Sequence, residues 1–479
     1  MVSHMKHTFW FCLCISALLL NGCGKGEASA AETVADIGST DSVMEETTEP
    51  SYLDTLGEKD FNNAVFSVIG VDYAARRNFP DAETSGEVVN DALTERDNTI
   101  MERYHVGIAY TKYESASDVT SLIRKEVLAD ENSWHMVISA ISGSLINLMN
   151  ENVLYDLTEL PYLDLSANWW SSPMYEKTQI NGHMYITMGD ISPQKYYAPY
   201  VLAYNKMLAE NHHFPDLYEM VLDGKWTLDA FASLTKDMEQ DLNGDGKMDE
   251  TDFWSYSHVN TSITGCAHFV GAGASLAESS ENGVSVNLNT EKNAEIVARL
   301  QDILVPVKYQ DMNITNNIFM EDRALFYGNS LSNIIANFRE MKSDFGIIPV
   351  PKYDEAQENY YAYINTWCLG GVAAPLTCSD PELTGFMMEA LCYQSYELVR
   401  PALCENLLKQ KVSRDEASAQ ILDLILDNTY LDLNGLYNFG TSCTFVGECI
   451  VNENEFVSGL EKLENKIQAD IENLSEILQ

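Results

Sequence analysis

Strand-like and helical segments alternate along the chain from Ala64 onward, and this alternation limits the possible folds more than any other feature. A β-rich run at 64–71 precedes a helical stretch at about 86–104, and a second strand follows at 106–113. A helix at about 116–128 and a strand at 135–140 repeat the order. Strands that alternate with helices indicate a parallel sheet covered on both faces, so we expect an α/β fold.

The pattern becomes mixed after Trp170. We expect a hairpin over 179–188, because Asn181-Gly182 suits a tight turn between two short strands. A chain of 479 residues exceeds one ordinary core, so two domains are expected. Further strands are predicted at 201–205, 324–327 and 345–350, and helices at about 143–150, 215–224, 227–240, 290–304 and 381–427.

The chain is strongly acidic, with 72 Asp and Glu against 29 Lys and Arg and a formal net charge of −43. Such a surface repels phosphates, which argues against nucleic acid as a partner. It also argues against electrostatic docking on anionic lipid. Most of these acids serve solubility, although carboxylates also suit calcium.

The N-terminal residues predict export. Lys6 precedes an apolar run at 9–20 that is too short for a transmembrane helix, as in a signal peptide spanning 1–22. The run ends in small residues before Cys23, which resembles the bacterial lipobox and implies cleavage before Cys23 and its lipidation. Ordinary secretory cleavage is the alternative. Residues 23–57 are rich in acids and small residues, so we expect a flexible tether that holds the protein at the outer face of the cytoplasmic membrane.

The cysteines permit two interpretations. An odd number remains after the signal peptide and Cys23, so at least one is unpaired in a monomer. Cys443 and Cys449 are close enough in sequence to pair, but we favour small buried hydrophobes. The remaining cysteines are Cys266, Cys368, Cys378, Cys392, Cys404, Cys443 and Cys449.

Five stretches follow one another along the chain in a specific order. They are 153–160, Leu202-Ala203-Tyr204-Asn205-Lys206, Gly224-Lys225-Trp226-Thr227-Leu228-Asp229, 345–361 and 381–384. In this order they resemble the extracellular solute-binding proteins of ABC importers, in the cluster that contains maltose-binding protein, and 202–206 corresponds to the place where such proteins cross between lobes.

The resemblance implies a periplasmic-binding-protein-like α/β fold, in which two lobes with mixed or parallel sheets are joined by hinge crossings. We assign 58–200 plus 316–360 to lobe one and 201–315 plus 361–479 to lobe two. It also implies a monomeric binder, not an enzyme, that closes on a sugar or oligosaccharide and delivers it to the permease subunits of an ABC importer.

Residues 241–252 match the EF-hand calcium loop at positions 1, 3, 5, 6, 9 and 12. Gly246 permits the sharp bend that the loop needs. Position 12 is Asp252 instead of the usual Glu, and its shorter side chain weakens the case for bidentate ligation. An acidic Asn-Gly turn without an ion is the alternative to a structural Ca²⁺ site. The predicted oxygen donors are Asp241, Asn243, Asp245, the carbonyl of Lys247, Asp249 and Asp252.

Ligand contacts are predicted at the ends of strands, where open α/β sheets bind their ligands. Aromatic faces and hydrogen-bonding side chains are the groups that a sugar requires. Each of three candidates has a structural alternative. Asp72 could instead cap a helix or stabilise a turn, and Trp367 and Trp170 could instead pack in the core. The candidates are Asp72, Tyr73, Ser142, Asp190, Asn329, Asn365, Trp367 and Trp170.

Enzyme motifs are weak in this sequence. It has no G-x-S-x-G elbow, no HExxH and no P-loop. The abundance of acids leaves a glycosidase pair open. The alternatives are a binder of another solute such as a peptide, a surface glycoside hydrolase, and an adhesion or sensor lipoprotein.

Overall fold

A computed structural model describes residues 51–72, 77–84, 86–170, 179, 181–280, 283–304, 309–364, 370–407 and 416–477. The strands are β1 (Val65–Val71), β2 (Gly107–Tyr113), β3 (Met136–Ala140), β4 (Tyr200–Asn205), β5 (Trp254–His258), β6 (Glu278–Ser280), β7 (Gly283–Ser285), β8 (Ala324–Ser330), β9 (Phe345–Ile348), β10 (Ala362–Tyr363), β11 (Gly370–Ala373) and β12 (Thr429–Tyr430).

Helices separate most of these strands. Of the helices described, none combines the length and the apolar composition that crossing a bilayer requires. The helices are α1 (Tyr52–Thr55), α2 (Val88–Tyr104), α3 (Ala116–Leu128), α4 (Ile146–Asn150), α5 (Lys206–Asn211), α6 (Leu217–Leu222), α7 (Leu228–Thr235), α8 (Ser262–Gly271), α9 (Glu291–Leu304), α10 (Met312–Met320), α11 (Leu331–Phe338), α12 (Pro381–Leu407), α13 (Glu416–Asp427), α14 (Leu433–Tyr437), α15 (Ser442–Asn452), α16 (Phe456–Glu461) and α17 (Glu464–Ile477).

The first sheet has the strand order β11-β3-β1-β2. β1 runs parallel to both β2 and β3, with Val68 opposite Tyr110 and Met136. β11 is antiparallel to β3. The helices α2 and α3 connect the three parallel strands, so the predicted alternation of strand and helix is confirmed.

The second sheet has the order β5-β8-β4-β9. β5 and β8 are parallel, whereas β4 is antiparallel to both of its neighbours, with Leu202 opposite Gly328 and Ile348. Two smaller ladders join β10 to β12 in parallel and β6 to β7 in antiparallel. The predicted α/β fold with mixed sheets is therefore confirmed.

The sheet pairing corrects the predicted division of the chain. Residues 316–360 had been assigned with the first sheet, but β8 and β9 both pair with β4. Conversely, β11 follows residue 361 yet pairs with β3. The chain thus returns to the first sheet at β11, later than predicted, because β8 and β9 first pair with β4 in the second sheet.

The signal peptide and most of the tether lie outside the described residues.

Both faces of the first sheet are buried. Phe66 and Val68 of β1 pack into one apolar cluster, and Ile69 and Val71 pack into another on the opposite side. Consecutive residues of a strand point to opposite faces, so this run of apolar residues indicates a sheet covered on both sides. A third and larger cluster surrounds the second sheet.

Side-chain caps explain where the helices beside the second sheet begin. The Asn205 side chain accepts a hydrogen bond from the Leu208 N–H at 3.0 Å. Asp216 accepts from the Tyr218 N–H at 2.8 Å, and Thr227 accepts from the Ala230 N–H at 3.3 Å. Such caps satisfy N–H groups that have no acceptor within the helix, so each polar residue marks a helix start in the sequence.

The predicted hairpin at 179–188 is only partly correct. Asn181 and Gly182 form a turn with φ angles of +55° and +84°. Among the described residues of this segment, however, the flanks form no ladder with each other, and Thr187 instead bridges to Val372 of β11. The segment therefore joins the first sheet as an isolated bridge, since β11 offers it a partner that local sequence does not reveal.

Candidate functional site

The carboxyl ends of parallel strands from both sheets lead to one pocket. β3 is followed by a turn at Ile141–Leu145, in which Ser142 and Gly143 have non-helical backbone angles, and then by α4. β5 is followed by α8. Residues of α4 and α8 line the same cavity, with a volume of about 330 Å³. Ligands of open α/β sheets bind at such strand ends, which makes this inter-sheet pocket the principal candidate site.

The described lining of the inter-sheet pocket carries no Asp, Glu, Lys, Arg or His side chain. Amide and hydroxyl groups alternate with apolar and aromatic ones, so the pocket offers hydrogen bonds without formal charge. The lining residues are Ser142, Gly143, Ile146, Asn147, Asn150, Ser262, Ile263, Cys266, Tyr363, Gly435, Leu436, Tyr437, Asn438, Cys443 and Thr444.

Several lining side chains are held in place by their own hydrogen bonds. The Asn147 amide donates to the Gly143 carbonyl at 2.9 Å. The Asn438 amide donates to Thr444 Oγ1 at 2.8 Å, and its oxygen accepts from the Thr444 N–H at 3.0 Å. The Tyr437 hydroxyl donates to Met149 Sδ at 3.1 Å. These bonds orient polar groups before any ligand arrives, which lowers the entropic cost of binding.

A second cavity, which we call the crossing pocket, lies where the chain passes between the sheets. Its volume is about 340 Å³. Unlike the first, it contains charged groups, since Arg400 pairs with Asp427 at 3.0 Å and Arg400 also lies over the ring of Tyr396. The lining residues are Asn168, Met188, Lys195, Tyr196, Ile364, Tyr396, Arg400, Leu426, Asp427 and Thr429.

Asp190, predicted as a ligand contact, is buried beside the crossing pocket. The Lys195 ammonium lies 2.7 Å from its Oδ1, so the two side chains form an ion pair. Burial raises the pKa of Asp190, and the Lys195 charge opposes that rise. The carboxylate therefore belongs to a buried ion pair at the crossing.

Ser142 is the predicted residue that lines the inter-sheet pocket. Asp72 directly follows β1 as predicted, yet it is buried, accepts the Asn78 N–H at 2.7 Å and lies 3.5 Å from Arg77 Nη1. Burial raises the pKa of Asp72. Asn329 lies near the end of β8, where its amide donates to the Tyr327 hydroxyl at 2.8 Å. Neither residue is among those that line the two pockets.

Trp170 is in the core, which is the role that the sequence left open beside stacking on a ligand. Its side chain is fully buried, and its indole N–H donates to Glu389 Oε2 at 2.7 Å. Glu389 also accepts from the Trp169 indole and the Tyr52 hydroxyl, both at 2.9 Å. The tryptophan therefore satisfies a buried carboxylate. Of the other predictions, Tyr73, Asn365, Trp367 and Cys23 lie outside the described residues.

The predicted calcium loop is a tight, solvent-exposed turn. Gly244 and Gly246 have φ angles of +74° and +80°, which glycine adopts without a steric cost. Both oxygens of Asp241 accept N–H groups, from Gly244 at 2.6 Å and from Gly246 at 2.8 Å. The loop thus has the bend that the EF-hand pattern requires.

The remaining acids of the loop bind backbone in the same way. Asp252 is fully buried and accepts from the Leu242 N–H at 2.9 Å and the Asp249 N–H at 2.8 Å. Asp245 accepts the Lys247 N–H at 2.9 Å. In the part of the chain that the structure describes, no group of three or more His, Cys, Asp or Glu side chains is gathered as metal ligands.

Sequence reasoning missed much of the inter-sheet pocket. Ser262 follows β5, so the strand-end rule would have found it had β5 been recognised. Asn147 and Asn150 lie on α4, the helix that follows Ser142. Their spacing of three residues puts both side chains on one face of that helix, and this is the signal by which the sequence could have revealed them. Tyr437 and Thr444 come from the C-terminal region, which no local motif marks.

Two mixed α/β sheets whose strand ends share one pocket give the chain a periplasmic-binding-protein-like fold. The profile of the bacterial extracellular solute-binding protein family matches residues 96–387, which is more than half of the chain. The chain therefore belongs to this family, as the sequence resemblance predicted.

Solved structures share the fold at low sequence identity. An ABC substrate-binding protein from Listeria monocytogenes in complex with cycloalternan is 12% identical, with a TM-score of 0.52, and the match covers 85% of this chain and 98% of that one. A cyclo/maltodextrin-binding protein with maltotetraose is 11% identical, with a TM-score of 0.53 and coverage of 86% and 97%. A comparison with curated protein sequences finds no match.

Replacement of Lys195 by Met is expected to destabilise the fold by about 3 kcal/mol, because it leaves the Asp190 carboxylate buried without a counter-charge. The midpoint of urea unfolding measures the loss. A second change, Asp190→Asn, is expected to restore most of it. Lys225→Met, which removes an exposed partner of Asp223, serves as the control and should leave the midpoint unchanged. Equal midpoints for Lys195→Met and the unaltered chain would contradict a stabilising pair.

Proposed function

We propose that this protein is an extracellular, lipid-anchored receptor that binds a sugar or oligosaccharide in the inter-sheet pocket and delivers it to an ABC importer. One observation carries the proposal: the pocket at the strand ends of both sheets is lined by amide, hydroxyl and aromatic side chains without formal charge. A sugar is a neutral polyol with apolar ring faces, and these are the groups that recognise it.

The neighbours in fold support the same ligand class. Two of them hold oligosaccharides, cycloalternan in one and maltotetraose in the other. An oligosaccharide presents many hydroxyls to a site, so a pocket rich in Asn, Ser and Thr recognises it through side chains that both donate and accept hydrogen bonds.

The rival ligands fit the described lining less well. A free peptide carries a charged amino group and a charged carboxylate, and burial of either without a partner is costly. A glycoside hydrolase needs two carboxyl groups on either side of the bond that it cleaves. Among the described residues that line the inter-sheet pocket, none is Asp or Glu. This lining favours binding of a neutral solute without turnover.

The anchor and the importer complete the proposed receptor. Lipidation of Cys23 would hold the protein at the outer face of the membrane, and residues 23–57 would give it reach. Closure of two lobes around the solute would give the permease a shape that reports occupancy.

We also propose that the loop at 241–252 binds Ca²⁺ in a structural role. The donor set is all oxygen, from Asp241, Asn243, Asp245, Asp249 and Asp252 together with the Lys247 carbonyl, as a hard cation requires. The turns at Gly244 and Gly246 support this proposal, because they give the chain the reversal that an EF-hand loop needs.

A thermal-shift screen tests the ligand class. Maltotetraose, cycloalternan, single amino acids and tripeptides are offered to the full chain in separate wells. An oligosaccharide is expected to raise the melting temperature, since a ligand at 100 times its Kd stabilises the folded state by about 2.7 kcal/mol. Ser262→Trp fills the pocket and should abolish the shift, whereas Ser117→Trp on the exposed face of α3 should keep it.

The same screen contains the outcomes that would contradict the proposal. A shift with tripeptides alone would assign the pocket to a peptide. Release of shorter sugars from maltotetraose, followed by chromatography, would make the protein a hydrolase. A shift that survives Ser262→Trp would place the ligand outside the inter-sheet pocket.

Calcium is expected to raise the melting temperature by roughly 3 °C, and a chelator to reverse the rise, because an ion that binds only the folded loop stabilises it. Differential scanning calorimetry measures both effects. Asp241→Ala should remove the response, and Glu219→Ala, an exposed acid outside the loop, should retain it. A chelator-insensitive protein that takes up no calcium would refute the site.

A further inference from the structure

Two cysteine thiols meet at the wall of the inter-sheet pocket. The sulfur atoms of Cys266 and Cys443 are 3.6 Å apart, and the Cys266 thiol also donates to the Cys443 carbonyl at 3.1 Å. No disulfide joins them, they are buried at 2% and 6% exposure, and both line the pocket. The pair therefore lies next to a cavity that small molecules can enter.

A close contact between two helices brings these thiols together. A Cβ atom added to Gly265 of α8 would lie 2.2 Å from the Gly447 carbonyl oxygen, and one added to Gly447 of α15 would lie 2.0 Å from the Ser262 carbonyl oxygen. Only glycine on both helices allows their backbones to approach this closely. Cys266 directly follows one of these glycines, and Cys443 lies one turn before the other, so the crossing fixes the thiols side by side.

We propose that Cys266 and Cys443 are a peroxide-oxidisable pair that forms a disulfide and links α8 to α15 at the ligand pocket. A disulfide needs its sulfur atoms about 2.05 Å apart, so the two sulfur atoms must approach by roughly 1.5 Å when the bond forms. The family is extracellular, and such compartments favour disulfides.

The oxidant is a hydroperoxide, here hydrogen peroxide, which is small enough to enter the pocket. One thiol attacks the peroxide, an S–O bond forms as the O–O bond breaks, and water leaves. The second thiol then attacks the sulfenic sulfur, the S–S bond forms, the S–O bond breaks, and a second water carries away the thiol proton. Two thiols lose two electrons in total, and one peroxide is reduced to two waters.

The surroundings of the other described cysteines differ. The Cys392 thiol donates to the Trp169 carbonyl at 3.2 Å, and the Cys449 thiol donates to the Asn454 carbonyl at 2.7 Å. Among the cysteines that the structure describes, no second pair of sulfur atoms is in contact. The hydrogen bond to Cys443 and burial raise the pKa of Cys266 well above its usual range, so this thiol is protonated at neutral pH and its oxidation should accelerate as the pH rises.

The test treats the full chain with hydrogen peroxide, then unfolds it, alkylates the remaining thiols and maps the peptides by mass spectrometry. The expected result is a peptide that joins Cys266 to Cys443, with a mass two hydrogens below that of the separate peptides. Oxidation should also raise the melting temperature by about 5 °C, because the link closes a long loop in the unfolded chain.

Cys404, which is partly exposed, reports whether the peroxide dose was sufficient. A map in which Cys404 is oxidised while Cys266 and Cys443 both carry the alkyl label overturns the proposal, and so does over-oxidation of either thiol without the link. Cys443→Ser should lose the rise in melting temperature, and Cys392→Ser should keep it. If Cys443→Ser fails to fold, the map of the unaltered chain still decides the outcome.

Discussion

Parallel strand pairing within both sheets determines where this protein can bind a ligand. β1, β2 and β3 run in one direction in the first sheet, and β5 and β8 do so in the second. The carboxyl ends of parallel strands lie at one edge of a sheet, so the segments that follow them lie together. The turn after β3 and the start of α8 meet at the inter-sheet pocket for this reason.

The uncharged pocket contrasts with the surface of the chain. The protein has 43 more acidic than basic residues, yet its inter-sheet pocket is lined in the described structure by amides, hydroxyls and aromatic rings. Desolvation of a charge is costly, so a pocket without formal charges selects for neutral solutes, while the acidic exterior serves solubility. Buried charges lie outside this pocket. Beside the crossing pocket, for example, the positive charge of Lys195 offsets the negative charge of Asp190.

Local patterns predicted the first sheet well. β1, β2 and β3 were expected within one or two residues of their observed bounds, because β-rich runs separated by amphipathic helices leave little choice of pairing. The same patterns assigned β8 and β9 to the wrong sheet. Their partner is β4, more than 100 residues earlier in the chain, and no local pattern encodes such a distant antiparallel partner.

The site was predicted only in part, for related reasons. Ser142 was found because it follows a recognised strand, and Ser262 was missed because β5 was not recognised. Trp170 and Asp190 have the right residue types for a ligand site, but their partners, Glu389 and Lys195, are what keep them in the interior. Pairing of Cys443 with Cys449 was considered from their short separation, whereas the fold brings Cys443 to Cys266 instead.

A crystal structure of the chain grown with the oligosaccharide that gives the largest thermal shift would test the account most directly. We expect electron density for the sugar in the inter-sheet pocket, in contact with Ser142, Ser262 and the ring of Tyr437. Density for the sugar in the crossing pocket, or on a surface remote from the strand ends of both sheets, would contradict it.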